Sequence, residues 1–291
     1  MCRKIAVIDV GSNSVRLMLV ADGKILYKRT VITRLGEGLA LSGVLQKTPM
    51  LRTAGQISAF MVEAKAFGAT DFYAYATAAV RSSKNGEEFV KEVENSCGIK
   101  LLVLSGEEEA KVGIVGALGN QDGALLDVGG ASSELIIQKD QKTLYQTSLD
   151  VGVVRLKDTC GRDKQTLTAF CREKVTEYAL AKDKIKGLSL CAIGGTATTL
   201  AALALGLETY DGGKVTGTEL SKQCLEDLTD RLFRLSVEET AALPCVDEKR
   251  AQVIAGGALW LSTVVQYLGV DGLTVSDSDN LEGFAKINGW L

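Results

Sequence analysis

Two stretches of this chain repeat each other without a gap. Asp9-Val10-Gly11-Ser12-Asn13-Ser14-Val15-Arg16-Leu17 aligns with Asp127-Val128-Gly129-Gly130-Ala131-Ser132-Ser133-Glu134-Leu135, and Asp, Val, Gly, the second Ser and Leu coincide. Each copy follows a short apolar run, Ile5 to Ile8 or Ala124 to Leu126, and leads into another. Strand, glycine/serine turn, strand is the signature of a β-hairpin. Two such hairpins separated by about half the chain predict two similarly built domains facing each other across a cleft.

Between and after the copies, strand and helix patterns alternate, which points to an α/β fold. Strands are expected at 25–33, 72–76, 101–104, 143–151 and 188–193. Helices are expected at 49–67, with Pro49 in the first turn, and at 87–95, 164–183, 219–235 and 249–268. Ser105-Gly106-Glu107-Glu108 starts a further helix, with serine at the cap and acids against the dipole. The natural boundary lies near Gly119 to Gly123. It gives domain I over 1–120 and domain II over 121–291, with the last helix able to pack back on domain I.

Composition narrows the chemistry. The chain has no histidine, which excludes Ser-His-Asp and Cys-His nucleophilic sites, HExxH zinc sites and His/Asp metal-dependent phosphohydrolase sites. Acid–base work falls to carboxylates, lysines, thiols or tyrosines. With 33 basic and 36 acidic residues there is no global positive field for a nucleic acid. A polyanion must be held by local arginines, lysines and backbone N–H groups. The cysteines Cys2, Cys97, Cys160, Cys171, Cys191, Cys224 and Cys245 form no CxxC pair, so buried reduced thiols are expected rather than zinc or disulfide chemistry. The uncharged stretch Gly187 to Leu207 is broken by two adjacent glycines and three threonines. It reads as strand, turn and helix rather than a membrane span, and a soluble cytoplasmic protein is expected.

Four constellations carry candidate chemistry. The turns at Gly11, Ser12, Asn13, Ser14 and at Gly129, Gly130, Ala131, Ser132 suit phosphate, because glycine permits close backbone approach while serine and N–H groups donate. Asp9 and Asp127, at the ends of the strands before them, suit a hydrated magnesium ion or a positioned water. Asp-x-Gly turns are commonly only structural, and it is the second copy that favours function. Gly194-Gly195-Thr196, between an apolar run and an Ala/Leu-rich helix, suits an anion or nucleotide phosphates, or is a plain strand–helix turn. Arg81, after the strand 72–76, is placed for a bidentate phosphate contact or for a surface salt bridge. In Glu107-Glu108-Glu109 acids simply stabilise a first helical turn. One turned inward is also an economical general base in a chain without histidine, and Glu109 is nearest the packed face.

Together these motifs resemble the exopolyphosphatase/guanosine pentaphosphate phosphohydrolase (Ppx/GppA) family of the actin-like ATPase and sugar-kinase superfamily. The matches run almost end to end: DVGSNSVRL (9–17), RLGEG (34–38), ATAAVR (76–81), SGEEEAK (105–111), DVGGASSEL (127–135), VGVVRL (151–156), AIGGTATTLAAL (192–203) and KRAQVIAGGA (249–258). The resemblance implies two actin-like (ribonuclease H-like) domains, each a mixed sheet flanked by helices, with an interdomain cleft. It puts Glu109 at the general-base position, and Asp127 and Glu134 at acids near the water and magnesium. Asp9, residues 11–14, Arg81 and residues 129–132 fall at phosphate contacts, and Gly194 to Thr196 at the turn nearest a nucleoside. A homodimer is expected on the same ground. Two departures stand out: Ala131 replaces a third glycine, and Asn280-Leu281-Glu282-Gly283 replaces Leu-Arg-Glu-Gly.

The expected activity is therefore magnesium-dependent removal of terminal phosphate from inorganic polyphosphate. Its alternatives are hydrolysis of guanosine pentaphosphate to the tetraphosphate, an ATP-using kinase of the same superfamily, and a catalytically silent polyphosphate or nucleotide sensor.

Overall fold

The computed structural model describes residues 3–291, so Cys2 lies outside the described residues. Contacts divide the chain into two units, one running to Gly116 and taking in Asn280–Leu291, the other Ala117–Asp279.

The first unit holds a five-stranded sheet. Its strands are β1 (Lys4–Val10), β2 (Ser14–Ala21), β3 (Lys24–Ile32), β4 (Asp71–Ala76) and β5 (Leu101–Val103), in the order β3-β2-β1-β4-β5. The hairpin strands β1, β2 and β3 pair antiparallel, whereas β4 and β5 run parallel to β1. β1 is central and nearly all apolar, so both of its faces are covered. Alternation along β1 sends Ala6, Ile8 and Val10 to one core, with Ile57, Phe60 and Phe89 from helices Lys47–Ala66 and Gly86–Cys97. Ile5 and Val7 go to the other face, with Val112, Leu281, Phe284 and Ala285 from helices Gly106–Ala117 and Asn280–Ile287. The last helix thus belongs to the first unit.

The second unit repeats this plan. Its strands are β6 (Gly123–Val128), β7 (Ser133–Lys139), β8 (Lys142–Leu149), β9 (Leu190–Ile193), β10 (Glu219–Ser221) and β11 (Gly272–Val275), in the order β10-β11-β9-β6-β7-β8. β6, β7 and β8 pair as β1, β2 and β3 do, and β9 and β11 follow in parallel like β4 and β5. The short β10 is added antiparallel at the edge. The sequence echo is therefore the trace of a duplicated sheet. Helices Lys164–Lys174, Lys222–Arg234 and Ile254–Leu268 cover a core built around Leu126, Val128, Leu135 and Trp260.

Three helices are shorter than periodicity predicts, each for a tertiary reason. The 164–183 helix stops at Lys174 and tightens into a 3₁₀ turn, Val175–Tyr178, which buries Tyr178 with its hydroxyl donating to Ser133 O at 2.9 Å. Residues 219–221 pair with β11, and the helix begins after Ser221, which caps it by accepting from Cys224 N. Residues 249–253 form turns on Asp247, which sends the Arg250 side chain to the glycine turn after β9. Gly187 to Leu207 resolves into β9, that turn and helix Gly195–Ala204, and no helix among the described residues is long and apolar enough to cross a membrane. The six described cysteines are unpaired. Burial pushes the Cys171 thiol up to about 12 and Cys191 to about 11, so neither is a ready thiolate.

Candidate active site

In the first unit the C-terminal ends of the parallel strands bring the predicted residues together. β1 ends one residue after Asp9, β4 leads through Thr77 into the short helix Ala78–Ser82 that carries Arg81, and β5 leads into the helix that carries Glu109. That helix opens with a capping box. Ser105 Oγ accepts from Glu108 N, and the Glu108 carboxylate accepts from Ser105 N at 2.8 Å. Glu108 is thereby tied to the cap and its carboxyl held below the ordinary range. Glu109, one residue on, turns inward and is 6% exposed.

The Glu109 carboxylate accepts from Arg81 Nη1 at 2.7 Å, and the same nitrogen donates to Leu104 O at 2.8 Å. Burial raises the Glu109 carboxyl above its ordinary value. The Arg81 cation opposes the rise, Asp9 adds to it and the Thr77 hydroxyl works against it. The acidic neighbour that raises Glu109 is Asp9 across the strand ends, not Glu107 or Glu108 on its own helix. Arg81 forms the ion pair: two of its five N–H groups hold Glu109 and Leu104, and among the described residues Nε and Nη2 have no partner.

The turn between β1 and β2 has its carbonyls turned back into the protein. Ser14 O accepts from Gly11 N at 2.9 Å, Ser12 O from Gly36 N at 2.8 Å, and Asn13 O from Thr33 N and Arg34 N. Among the described residues the Ser12 and Asn13 N–H groups have no partner, and Asn13 Oδ1 is buried without one. Successive backbone N–H groups left over in a turn form an anion-binding concavity. Asp9 is placed differently from expectation. Arg16 lies directly opposite on β2 and donates to Asp9 Oδ2 from Nε at 2.8 Å and from Nη2. Asp9 is thus held as an ion pair, and among the described residues no three Asp, Glu or Cys side chains gather as a metal cluster.

The second unit repeats the turn with a different brace. Ser132 O accepts from Gly129 N at 3.0 Å, Gly129 O from Val153 N, Gly130 O from Val154 N and Arg155 N, and Ala131 O from Arg155 Nε at 2.9 Å. The N–H groups of Gly130, Ala131 and Ser132 are left without partners among the described residues. Gly152 lies flat against the peptide between Gly130 and Ala131, where a Cβ would overlap the backbone. Ala131, in place of the third glycine, is buried and leaves this bonding pattern whole. Behind the turn, Ser133 Oγ accepts from Trp260 Nε1 at 2.9 Å and donates to Val151 O.

The register that gives Asp9 an arginine gives Asp127 a carboxylate: Glu134 lies directly opposite on β7. Glu134 is 2% exposed and accepts from Ser148 Oγ at 2.6 Å. Two carboxylates side by side fit a hydrated magnesium ion, which usually takes one or two carboxylates and fills its shell with water and phosphate oxygens. Asp9, bound to Arg16, does not fit that role.

Gly194 and Gly195 are explained by what crowds them. Gly194 has φ 89° and faces Asp127 Oδ1, and the Arg250 guanidinium fills the space over Gly195, donating to Gly195 O and to Thr199 Oγ1. The Thr196 side chain packs against Gly257 of helix Ile254–Leu268 rather than reaching outward. Sequence reading missed Arg16, Thr77, Gly152, Arg155 and Arg250 as site residues. Each lies inside a matched motif, but only Arg16 had a readable signal, since the hairpin register sets it opposite Asp9.

Comparison with known proteins identifies the family and the fold. The model of the Ppx/GppA phosphatase family matches residues 12–285. Exopolyphosphatase 2 of Mycobacterium tuberculosis is 29% identical, over 97% of both chains. The guanosine-5'-triphosphate,3'-diphosphate pyrophosphatase of Vibrio vulnificus is 30% identical over 96% of this chain, which spans 58% of that longer protein. Among solved structures, an exopolyphosphatase-like protein superposes with a TM-score of 0.89 at 25% identity, over 98% of both chains. The Aquifex aeolicus Ppx/GppA family member gives 0.79 at 29%, over 99% of this chain and 98% of that one. The two mixed sheets flanked by helices are those of the actin-like ATPase fold. The duplicated sheet, the paired glycine turns and the buried glutamate are thus set in a known frame, and the chain belongs to the Ppx/GppA phosphatase family.

Proposed function

We propose that the chain is an exopolyphosphatase that releases the terminal phosphate of linear inorganic polyphosphate by Glu109-assisted attack of water. The observation that carries this reading is Glu109 itself: a buried carboxylate, raised above its ordinary range, held by an arginine whose Nε and Nη2 have no partner among the described residues, with Asp9 near enough to add to the rise. A base raised toward working pH takes a proton most effectively. Glu109 accepts a proton from water as the water oxygen bonds to the terminal phosphorus. The bridging P–O bond breaks, and its electron pair leaves with the shortened polyphosphate. Arg81 and the turn N–H groups face equatorial oxygens whose charge must be offset in the transition state. Asp127 and Glu134 would hold a magnesium ion, which would supply positive charge to phosphate oxygens.

Polyphosphate is favoured over a guanosine nucleotide because Arg250 fills the glycine turn that would lie nearest a nucleoside. Phosphate release is to be measured from polyphosphate and from guanosine pentaphosphate, with and without magnesium, for the wild type and Glu109→Gln. Magnesium-dependent release from polyphosphate, reduced by roughly 10²–10⁴-fold in Glu109→Gln, is the expected result. Preference for the nucleotide would reassign the substrate, and full turnover by the variant would remove Glu109 from the chemistry.

A further inference from the structure

We propose that the C-terminal helix Asn280–Ile287 is the positioning element for Glu109, acting by backbone contact at Gly283 and by a lysine clamp at Lys286. The proposal rests on the reading of Glu109 as the base. The Asn280-Leu281-Glu282-Gly283 stretch, where a family arginine is missing, takes on a role here that no ligand contact requires. Gly283 lies against the Glu109 helix with no side chain between them. A Cβ there would overlap Val112 O and approach Gly116 N to 2.9 Å. Val112 is three residues beyond Glu109 on the same helix, less than one turn away, a rise of about 4.5 Å. At the far end, Lys286 Nζ donates to Gly116 O at 3.1 Å and to Val115 O at 3.3 Å, satisfying carbonyls that a helix end leaves orphaned.

The C-terminal helix is itself fixed to the sheet. Leu281 and Ala285 are buried with Ile5, Val7 and Tyr75. The Phe284 ring stacks on Tyr75 at 4.7 Å, and Glu282 Oε1 accepts from Lys28 Nζ of β3 at 2.7 Å. Side chains between two helices can repack, whereas touching backbones cannot. The contact at Gly283 therefore leaves the Glu109 helix little freedom to slide along its axis, and the carboxylate is set against Arg81 from behind.

Gly283→Ala tests this in the full chain, with polyphosphate as substrate. The added methyl must move Val112 O by more than 1 Å to reach ordinary contact, and a misplacement of about 1 Å already costs roughly 10²-fold when it reaches a catalytic group. The expected result is kcat lowered about 10- to 100-fold with KM within about threefold, in a protein whose circular dichroism matches the wild type. Lys286→Met, at an exposed position, is expected to lower kcat a few-fold and Lys286→Arg to restore it. A folded Gly283→Ala with wild-type kcat overturns the proposal. So does a wild-type kcat in Lys286→Met, should Gly283→Ala fail to fold. Glu109→Gln, measured alongside, separates the two readings. If it retains turnover, the assignment of the base has failed. If it is inactive while the helix variants are not, only the positioning role has failed.

Discussion

Replacing Gly152 by alanine tests whether the second turn holds phosphate. Gly152 has φ −140°, which any residue adopts, so its requirement is steric and not conformational. An alanine Cβ would lie 2.5 Å from Ala131 N and closer still to Gly130 C, and both are main-chain atoms. Ordinary contact lies near 3.4 Å or beyond, so the 130–131 peptide must retreat by about 1 Å, a distance over which an N–H···O hydrogen bond weakens steeply. Overpacking of this kind costs about 1–3 kcal/mol of stability, which a second unit with so large a core can absorb. The expected functional loss is larger: two displaced donors, at about 1.5–3 kcal/mol for each hydrogen bond to a charged oxygen, lower kcat/KM by about 10²–10⁴-fold. Gly256→Ala is the control. Its Cβ would meet only Leu156 and Leu167 at 3.9 Å, within a helix that alanine favours. Steady-state phosphate release and urea unfolding of both variants decide the matter. A folded Gly152→Ala with kcat/KM within twofold of wild type would refute the assignment of residues 129–132 to phosphate.

Three further outcomes follow from the same geometry. Burial holds Glu109 above its ordinary carboxyl value, so in the pH interval between the ordinary and raised values the native state keeps a proton that the unfolded chain has lost, and stability falls as pH rises. Glu109→Gln removes that loss, and its urea midpoint at pH 8 should equal or exceed that of the wild type; a clear drop contradicts net destabilisation by the buried charge. Arg81→Met removes the strongest counterweight to burial, so the acid limb of kcat/KM, set by deprotonation of Glu109, moves to higher pH; an unmoved limb means the pair does not govern the titration. Trp260→Phe deletes the donor to Ser133 Oγ behind the second turn and should cost about 1–3 kcal/mol in urea unfolding, against no change if the bond is incidental.

Much of this protein can be read from its sequence. The Asp-Val-Gly echo specified a duplicated hairpin, because apolar runs flanking a glycine turn have one economical pairing and its register follows from period-two alternation. The absence of histidine left a carboxylate as the natural base, and the Ser105 cap placed the three glutamates in a first helical turn. What periodicity cannot supply is partners from distant parts of the chain. Only the fold brings β1, β4 and β5 to one edge, so that Asp9, Thr77, Arg81 and Glu109 share an electrostatic environment. Only the fold sets Gly152 on the second turn, Arg250 over Gly195 and the C-terminal helix on the Glu109 helix. The two aspartates of the echo divide the matter: hairpin register sets Arg16 across from Asp9 and Glu134 across from Asp127, but only tertiary structure, where residues far apart in the chain meet, brings Asp9 near enough to Glu109 to raise it.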